Sequence, residues 1–239
     1  MPPTDCLAEI DVLILAGGLG TRLAGVLVGK PKVLAPIGSR TFLDILLDRL
    51  AHFGAKRIVL SLGHLADEVQ RHLAASPRSD LSVEWVVEPE PQGTDGALRF
   101  ARSALRSPTV LILNGDSLID ADLCGLVETH RSSGVEATLL CTRVSDAARF
   151  GTVEIDGGRI QRFHEKTGFS LPGTINAGVY VMSGGLLDQV AVLPGPSLER
   201  DIFQKLSPGT LGAHAGDFSF IDIGTPEDFA RAVDFVRRL

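Results

Sequence analysis

The chain has 239 residues, 44% of them hydrophobic, and a formal net charge of −6. A chain of this size and composition can bury a large core, and we expect one domain spanning residues 1–239. The negative charge argues against a duplex nucleic-acid binder, because such proteins need a cationic surface to displace counterions from phosphates.

The sequence contains no uncharged apolar run long enough to cross a bilayer, and its first residues lack a cationic segment followed by an apolar stretch. We therefore expect a cytoplasmic protein without a membrane partner. Cys6, Cys124 and Cys141 are odd in number and have no CxxC spacing. This pattern favours reduced thiols packed in the core over a metal or nucleophile role.

Short apolar runs alternate with helical periodicity through the first part of the chain. Strands are predicted at 12–16, 57–62, 83–87, 109–113 and 137–141, and helices at 41–53, 64–75, 94–105 and 120–133. This alternation predicts an α/β fold with a doubly wound, mostly parallel sheet and helices on both faces. In such sheets, ligands bind beyond the carboxyl ends of the strands.

The pattern changes after about residue 150. Segments 151–155 and 159–163 flank an Asp-Gly-Gly turn and predict a hairpin, while 176–182 predicts another core strand. A terminal helix is predicted at 225–238, with Thr225 as N-cap and Pro226 at the first helical position. We expect the second half to complete the same domain with a small β-rich lobe.

A glycine-rich segment, Leu15-Ala-Gly-Gly-Leu-Gly-Thr-Arg22, follows the first predicted strand. A dinucleotide fingerprint would need Gly or Ala where Leu23 stands, and no Gly-Lys-Ser/Thr ending makes this a Walker loop. Backbone N–H groups accessible at glycines, with Arg22 and Lys32 nearby, predict a phosphate-binding loop. The alternative is a strand-to-helix turn with solvated cations.

With Pro31-Lys32, this loop resembles the signature of sugar-1-phosphate nucleotidyltransferases, which have a Rossmann-like, glycosyltransferase-A-like fold. Further motifs follow in the family's order: Glu88-Pro-Glu-Pro-Gln-Gly-Thr-Asp-Gly96, Asn114-Gly-Asp116, Glu165-Lys166, Asn176-Ala-Gly178 and Asp222-Ile-Gly-Thr-Pro226. Within the family, Ser197-Leu-Glu-Arg-Asp201 and the segment 220–228 are most similar to D-glycero-D-manno-heptose 1-phosphate guanylyltransferases.

The resemblance implies an enzyme that condenses a nucleoside triphosphate with a sugar 1-phosphate, releasing pyrophosphate. It assigns the nucleotide to about residues 1–145 and the sugar to about 146–239. Arg22, Lys32 and Asp116 would be catalytic, and Asp116 and Asp222 would bind Mg²⁺. The nucleotide-binding positions would be Leu15, Ala16, Gly17, Gly18, Gly20, Thr21, Arg22, Lys32, Glu88, Gly93, Thr94 and Asp116.

The same resemblance places the sugar phosphate at Gly151, Glu165, Lys166, Asn176 and Gly178. Glu165 and Asn176 would bond hydroxyls, and Lys166 would bind the phosphate. Taken singly, Asn114-Gly-Asp116 is also compatible with a turn, and Asp222 with a helix cap.

Glu88 favours GTP, because a carboxylate can accept two hydrogen bonds from the N1–H and N2–H₂ edge of guanine. A solvated loop acid is the alternative, and Asp95 would add further negative charge near the nucleotide loop. Uridylyl-, adenylyl- and mannose-1-phosphate guanylyltransferases remain open, as does a non-catalytic regulatory relative. A glycosyltransferase would use Asp120-Ala-Asp122, which helix capping explains better. The chain is expected to be a monomer or homodimer.

Overall fold

The computed structural model describes residues 5–23, 25–27, 29–164, 166, 168–193, 195 and 197–239. The strands are β1 Asp11–Leu15, β2 Pro36–Ile37, β3 Arg40–Thr41, β4 Arg57–Leu62, β5 Ser82–Val87, β6 Thr109–Asn114, β7 Ser117–Ile119, β8 Ala137–Val144, β9 Thr152–Asp156, β10 Arg159–His164, β11 Gly173–Ser183, β12 Leu211–Gly216 and β13 Phe220–Asp222. The α-helices are α1 Phe42–His52, α2 Ala66–Ala75, α3 Gly93–Ala101, α4 Leu123–Ser133, α5 Gly184–Val190 and α6 Pro226–Val236.

Nine strands form one sheet in the order β5-β4-β1-β6-β11-β8-β12-β10-β9. The strands β5, β4, β1 and β6 are parallel to one another, and β12 is parallel to β8. Only β10 and β11 run against the other strands of this sheet. The predicted mostly parallel α/β sheet is therefore confirmed, and the β9–β10 hairpin extends the far edge of the same sheet.

Hydrophobic side chains on the two faces of the sheet form two core clusters. Val12 and Ile14 of β1 belong to one cluster and Leu13 to the other, because successive side chains of a strand point to opposite faces. Helices α1, α2, α4 and α6 cover the first face, and α3 and α5 cover the second. The expected arrangement of helices on both faces is thus confirmed.

Four α-helices, α1, α4, α5 and α6, begin at polar caps that satisfy free backbone N–H groups. Thr41 and Asp44 form a capping box at α1, and the Asp122 side chain accepts from the Cys124 N–H at α4. Thr225 caps α6, with Pro226 in its first turn. Asp122 is therefore a helix cap, as the sequence analysis expected.

A two-stranded antiparallel ribbon joins two segments that are far apart in the sequence. Strand β13 pairs antiparallel with β7, placing Asp222 opposite Ser117. The Ile223 N–H also donates to the Asp116 carbonyl over 2.9 Å. This pairing brings Asp116 and Asp222 to one point, although 105 residues of sequence separate them.

The expectation of three reduced cysteines is wrong for two of them. Cys6 and Cys124 form a disulfide, with their Cα atoms 5.5 Å apart and a sequence separation of 118. The cause is tertiary: the segment before β1 packs beside the start of α4, a contact that cysteine spacing does not reveal. Cys141 is free and buried, and burial raises the pKa of its thiol to about 12.

Within the part of the chain that the structure describes, no helix has the length and apolar character needed to cross a membrane.

Asp11, at the start of β1, anchors the turn before β6. Its carboxylate accepts hydrogen bonds from the backbone N–H groups of Arg106 and Ser107 and lies 2.9 Å from the Arg57 guanidinium. Burial opposes ionisation, yet these hydrogen bonds and Arg57 together hold the pKa of Asp11 below its ordinary value.

We expect Asp11→Asn to lower the free energy of unfolding at pH 7 by about 1–3 kcal/mol. A depressed carboxyl pKa stabilises the fold above the unfolded-state value and loses its contribution as the pH falls through the folded value. The difference between wild type and variant should therefore shrink as the pH falls below about 4. Urea unfolding between pH 7 and pH 3 measures this, with exposed Asp5→Asn as control. A difference that is constant with pH would contradict the assignment.

Candidate functional site

The loops after β1, β4 and β6 meet backbone to backbone at the carboxyl edge of the sheet. The Ala16 N–H donates to the Ser61 carbonyl and the Gly115 N–H to the Leu15 carbonyl, each over 2.8 Å. A Cβ added at Gly63 would lie 2.8 Å from the Gly17 carbonyl oxygen. Only glycine at residue 63 permits this approach, so the glycine-rich segment is held tightly at its start.

A cavity of about 510 Å³ opens at this edge. Most predicted nucleotide-binding residues line it, and the wall also includes Leu19, Leu23, Val33, Pro91, Gln92, Ala97, Asn114, Gly115 and Gly224. The predicted residues in the wall are Leu15, Ala16, Gly17, Gly18, Gly20, Arg22, Lys32, Glu88, Gly93, Thr94, Asp116 and Asp222. The side chain of Thr21 lies outside the described residues.

Lys32 connects the two acidic residues at the floor of this cavity. Its Nζ lies 2.6 Å from Asp116 Oδ2 and 3.6 Å from Asp222 Oδ1. Burial, and then the charge of Asp116, raise the pKa of Asp222, while Lys32 and the Gly224 N–H oppose the rise. The two carboxylates are thus close enough to repel each other, and a cation between them relieves that repulsion.

The donor set fits a hard divalent cation that keeps positions for other ligands. Mg²⁺ is usually held by one or two carboxylates together with phosphate oxygens and water. Asp116 and Asp222 already converge on one cationic group, the Lys32 ammonium. Among the described residues, no group of three or more His, Cys, Asp or Glu side chains forms a closed protein metal site.

Glu88 lies in the cavity wall but is only 7% exposed. Its Oε1 accepts from the Ser61 hydroxyl over 3.0 Å, and its Oε2 accepts from the Gln92 N–H over 3.3 Å. A Cβ at Gly17 would come within 2.8 Å of Glu88 Oε1. Glu88 is therefore a fixed acceptor at the cavity wall, and the interpretation as a solvated loop acid does not fit its burial.

The residues at the start of α3 have distinct environments. Gly93 has a φ of +75°, a conformation that favours glycine. The Thr94 hydroxyl oxygen accepts from the Leu198 N–H over 3.0 Å. Asp95 is fully buried and pairs with Arg99 over 2.7 Å, and burial raises its pKa. The expectation that Asp95 adds negative charge near the nucleotide loop is not met, because the carboxylate is buried and its charge is paired with Arg99.

The predicted sugar-phosphate residues are less concentrated. Asn176 and Gly178 lie in β11, and a Cβ on Gly178 would lie 2.4 Å from Nδ2 of Asn114 in the cavity wall. Gly151 and Lys166 are exposed. None of these four described residues lines the cavity itself. Glu165 lies outside the described residues.

A second cavity, of about 630 Å³, shares Asp222 with the first. Phe150, which precedes Gly151, lies in its wall together with Arg149 and Phe220. The rings of Phe150 and Phe220 meet edge to face at 5.6 Å, and Arg149 pairs with Asp228 of α6. The predicted sugar position at Gly151 is therefore next to a cleft on the far side of Asp222.

Four further residues contribute to the site but were not predicted from the sequence to do so: Ser61, Gly63, Asn114 and Glu199. Ser61 and Gly63 follow a predicted strand, and its carboxyl end was the signal that could have identified them. Asn114 stands two residues before Asp116. Glu199 lies in a π-helical turn, Leu198–Ile202, and no local pattern predicts its long-range contacts.

A parallel sheet with a glycine-rich loop, a lysine and two convergent acids around one cavity defines a class of α/β proteins that bind phosphorylated ligands. The sequence matches the nucleotidyl transferase family over residues 11–238. The chain belongs to this family. The resemblance stated from the sequence motifs is thereby confirmed.

Among curated relatives, a mannose-1-phosphate guanylyltransferase from Mycobacterium tuberculosis is 33% identical over 96% of this chain and 65% of its own length. The D-glycero-alpha-D-manno-heptose 1-phosphate guanylyltransferase of Aneurinibacillus thermoaerophilus is 32% identical over 93% of this chain and 96% of its own. The chain thus spans about two thirds of the first relative and nearly all of the second.

The solved structure of HddC from Yersinia pseudotuberculosis, complexed with GMP-PN, has a TM-score of 0.82 at 32% identity. The alignment covers 95% of this chain and 99% of that one. A putative glucose-1-phosphate thymidylyltransferase from Bacillus anthracis has a TM-score of 0.79 at 21% identity, which supports the fold alone.

We expect Lys32→Met to lower the Tm, because Asp116 and Asp222 lose the cation between them. Each kcal/mol lost should lower the Tm by about 2–4 °C. Added Mg²⁺ should then raise the Tm of the variant more than that of wild type, since its site no longer contains a competing ammonium. Differential scanning fluorimetry with and without MgCl₂ measures both effects, and exposed Lys30→Met is the control. An equal Mg²⁺ response in all three proteins would argue against a cation site between these acids.

Proposed function

We propose that this protein transfers a guanylyl group from GTP to a sugar 1-phosphate, giving a GDP-sugar and pyrophosphate. The convergence of the glycine-rich loop, Lys32, Asp116 and Asp222 on one cavity is the observation that carries the proposal. Family membership and relatives that are guanylyltransferases support it.

The reaction is an in-line displacement at phosphorus. An ionised oxygen of the sugar phosphate forms a bond to the α-phosphorus of the triphosphate as the bond to the departing pyrophosphate breaks. The nucleophile is already deprotonated, so no general base is required. Catalysis then depends on alignment and on neutralising negative charge.

The cationic residues have separate tasks in this scheme. Arg22, exposed at the cavity wall, binds the β- and γ-phosphates, and Lys32, fixed at the cavity floor, faces the α-phosphate. The glycines of residues 17–20 allow backbone N–H groups to approach the phosphate oxygens. Arg22, Lys32 and Asp116 are thus the proposed catalytic residues.

Asp116 and Asp222 would hold Mg²⁺, as their shared contact with a cation supports. When bound, the ion would neutralise phosphate charge that Lys32 and Arg22 alone do not balance.

Glu88 is the residue proposed to recognise the guanine base. A buried carboxylate fixed by Ser61 and Gln92 presents acceptors to the guanine N1–H and N2–H₂ donors, whereas the N1 acceptor of adenine would be repelled. The relatives named guanylyltransferases, and the similar structure complexed with GMP-PN, support this choice.

The sugar is proposed to bind beside β11 and the loop before β9, with Gly151, Glu165, Lys166, Asn176 and Gly178 as its site. A heptose 1-phosphate is favoured because the heptose-specific relative matches along almost its whole length. Mannose 1-phosphate is the alternative supported by the mycobacterial relative.

We further propose a cytoplasmic monomer or homodimer, since nucleoside triphosphates and sugar phosphates are metabolites of that compartment. A disulfide such as Cys6–Cys124 is uncommon there. Mass determination of the protein alkylated in fresh lysate would show whether the two thiols are paired in the cell.

The direct test incubates the purified protein with Mg²⁺, each of GTP, ATP, UTP and dTTP, and heptose, mannose or glucose 1-phosphate. Pyrophosphate release and the nucleotide sugar formed are measured together. GTP with heptose 1-phosphate should give the highest kcat/KM. Absence of pyrophosphate with every pair, alongside tight binding of a GDP-sugar, would favour a non-catalytic regulatory protein.

We expect Arg22→Ala and Asp116→Asn each to lower kcat by about 10²-fold or more while the protein stays folded, because each removes charge stabilisation at the reacting phosphates. Steady-state kinetics with circular dichroism measures this. Arg71→Ala, at an exposed position of α2 that lines neither cavity, is the control variant. Wild-type turnover by either active-site variant would disprove the mechanism.

Gly17→Ala tests the role of Glu88 without changing its charge. The added Cβ would meet Glu88 Oε1 at 2.8 Å, whereas a Cβ on Gly18 meets no atom within 4 Å. The ratio of kcat/KM for GTP to that for UTP should fall by about tenfold, equivalent to 1.4 kcal/mol, in Gly17→Ala. Gly18→Ala should affect both nucleotides alike. An unchanged ratio in Gly17→Ala would remove Glu88 as the base reader.

A further inference from the structure

A chain of hydrogen bonds runs from the π-helical turn into β11. The Tyr180 hydroxyl donates to Glu199 Oε1 over 2.6 Å, and the Tyr180 hydroxyl oxygen accepts from Asn176 Nδ2 over 2.9 Å. The Asn176 side chain then uses Oδ1 to accept from the Gly178 N–H over 3.0 Å. Four groups, three of them side chains, are thus connected in series.

The chemistry of the groups gives this chain a direction. A carboxylate only accepts hydrogen bonds, so Glu199 makes Tyr180 the donor. Burial, and then the charge of Glu199, raise the pKa of Tyr180 and keep its hydroxyl protonated. Because the Tyr180 proton is donated to Glu199, the Tyr180 oxygen can only accept a hydrogen bond from Asn176. The NH₂ group of the Asn176 amide must therefore face Tyr180. The amide oxygen must then face Gly178.

The far end of the chain lies at the site wall. Strand β11 changes register against β8 between Asn176 and Tyr180, and Gly178 within this bulge has a φ of +73°. A Cβ at Gly178 would lie 2.4 Å from Nδ2 of Asn114, which lines the nucleotide cavity. The Asn176 amide oxygen thus holds the backbone of the bulge at a point where residue 178 leaves no room for a side chain beside Asn114.

The Glu199 end of this chain is attached to the first turn of α3. The Leu198 N–H, next to Glu199, donates to the Thr94 hydroxyl oxygen over 3.0 Å. The Ser197 hydroxyl donates to Glu199 Oε2 over 3.1 Å, so both carboxylate oxygens are held. The turn carrying Glu199 thus contacts one wall of the cavity directly and reaches another wall through Tyr180 and Asn176.

We propose that Glu199 is a positioning residue for the sugar 1-phosphate: through Tyr180 it fixes the orientation of the Asn176 amide and the Gly178 bulge, without touching substrate itself. This inference rests on the proposed function, which places the sugar beside Asn176 and Gly178. It adds a hydrogen-bond chain that connects the first turn of α3 with the proposed sugar side of the site.

Three variants of the full-length protein test the direction of the chain. In Glu199→Leu, Tyr180 loses its acceptor and can donate to the Asn176 oxygen instead, so the amide turns over and Gly178 loses its partner. Glu199→Gln retains an amide oxygen that accepts the same bond. In the double variant Glu199→Leu with Tyr180→Phe, no hydroxyl remains to turn the amide, and the Gly178 N–H again selects its orientation.

We expect Glu199→Leu to raise KM for the sugar 1-phosphate by about tenfold, with Kd for GTP changed by less than about twofold. Glu199→Gln should stay within about threefold of wild type. Adding Tyr180→Phe to Glu199→Leu should bring KM most of the way back to the wild-type value, although it removes a second polar group. The proposal would be overturned if KM rose equally in Glu199→Leu and Glu199→Gln. It would also be overturned if KM rose further in the double variant than in Glu199→Leu.

Amide hydrogen exchange at Gly178, followed by NMR without any substrate, provides a second readout. Exchange should be faster in Glu199→Leu and return towards the wild-type rate in the double variant. Unchanged exchange in Glu199→Leu would also overturn the proposal. If wild type transfers no nucleotide to any sugar phosphate, the proposed function fails, but the exchange data still test the hydrogen-bond chain. Should Glu199→Leu not fold, the comparison of wild type, Glu199→Gln and the double variant remains decisive.

Discussion

The pairing of β13 with β7 is the constraint on which the site depends. It brings Asp222 from the end of the chain to Asp116, and Lys32 lies within 4 Å of both carboxylates. Two acids at this separation repel each other, so their proximity is maintained by backbone hydrogen bonds and by a cation. The short ribbon therefore creates a site that attracts cations, and this site lies where negative charge accumulates in the proposed reaction.

Sequence patterns predicted the first half of the fold well because its information is local. Period-two and period-3.6 hydrophobicity, with caps such as Thr225 and Asp122, determine strands and helices within a few residues. The position of β11 between β6 and β8, and the ribbon of β7 with β13, depend on pairings between distant segments. The Cys6–Cys124 disulfide was missed for the same reason.

The candidate site shows the same division. Motif residues such as Gly17, Lys32 and Asp116 were predicted, and the structure brings them to one cavity. The environment of a motif residue, in contrast, is visible only in the folded structure. Glu88 is buried and fixed by Ser61, and Asp95 is buried against Arg99. Glu199 stands in a motif that carried part of the family resemblance, but its contact with Tyr180 could not be predicted, because a π-helical turn and a bulged strand meet only after folding.

The antiparallel strand β11 lies between β6, which leads to the nucleotide side, and β8, which leads to the sugar side. One continuous nine-stranded sheet thus underlies both halves of the proposed active site. Because β11 is hydrogen-bonded to a strand of each half, a change in its position would alter the nucleotide side and the sugar side together.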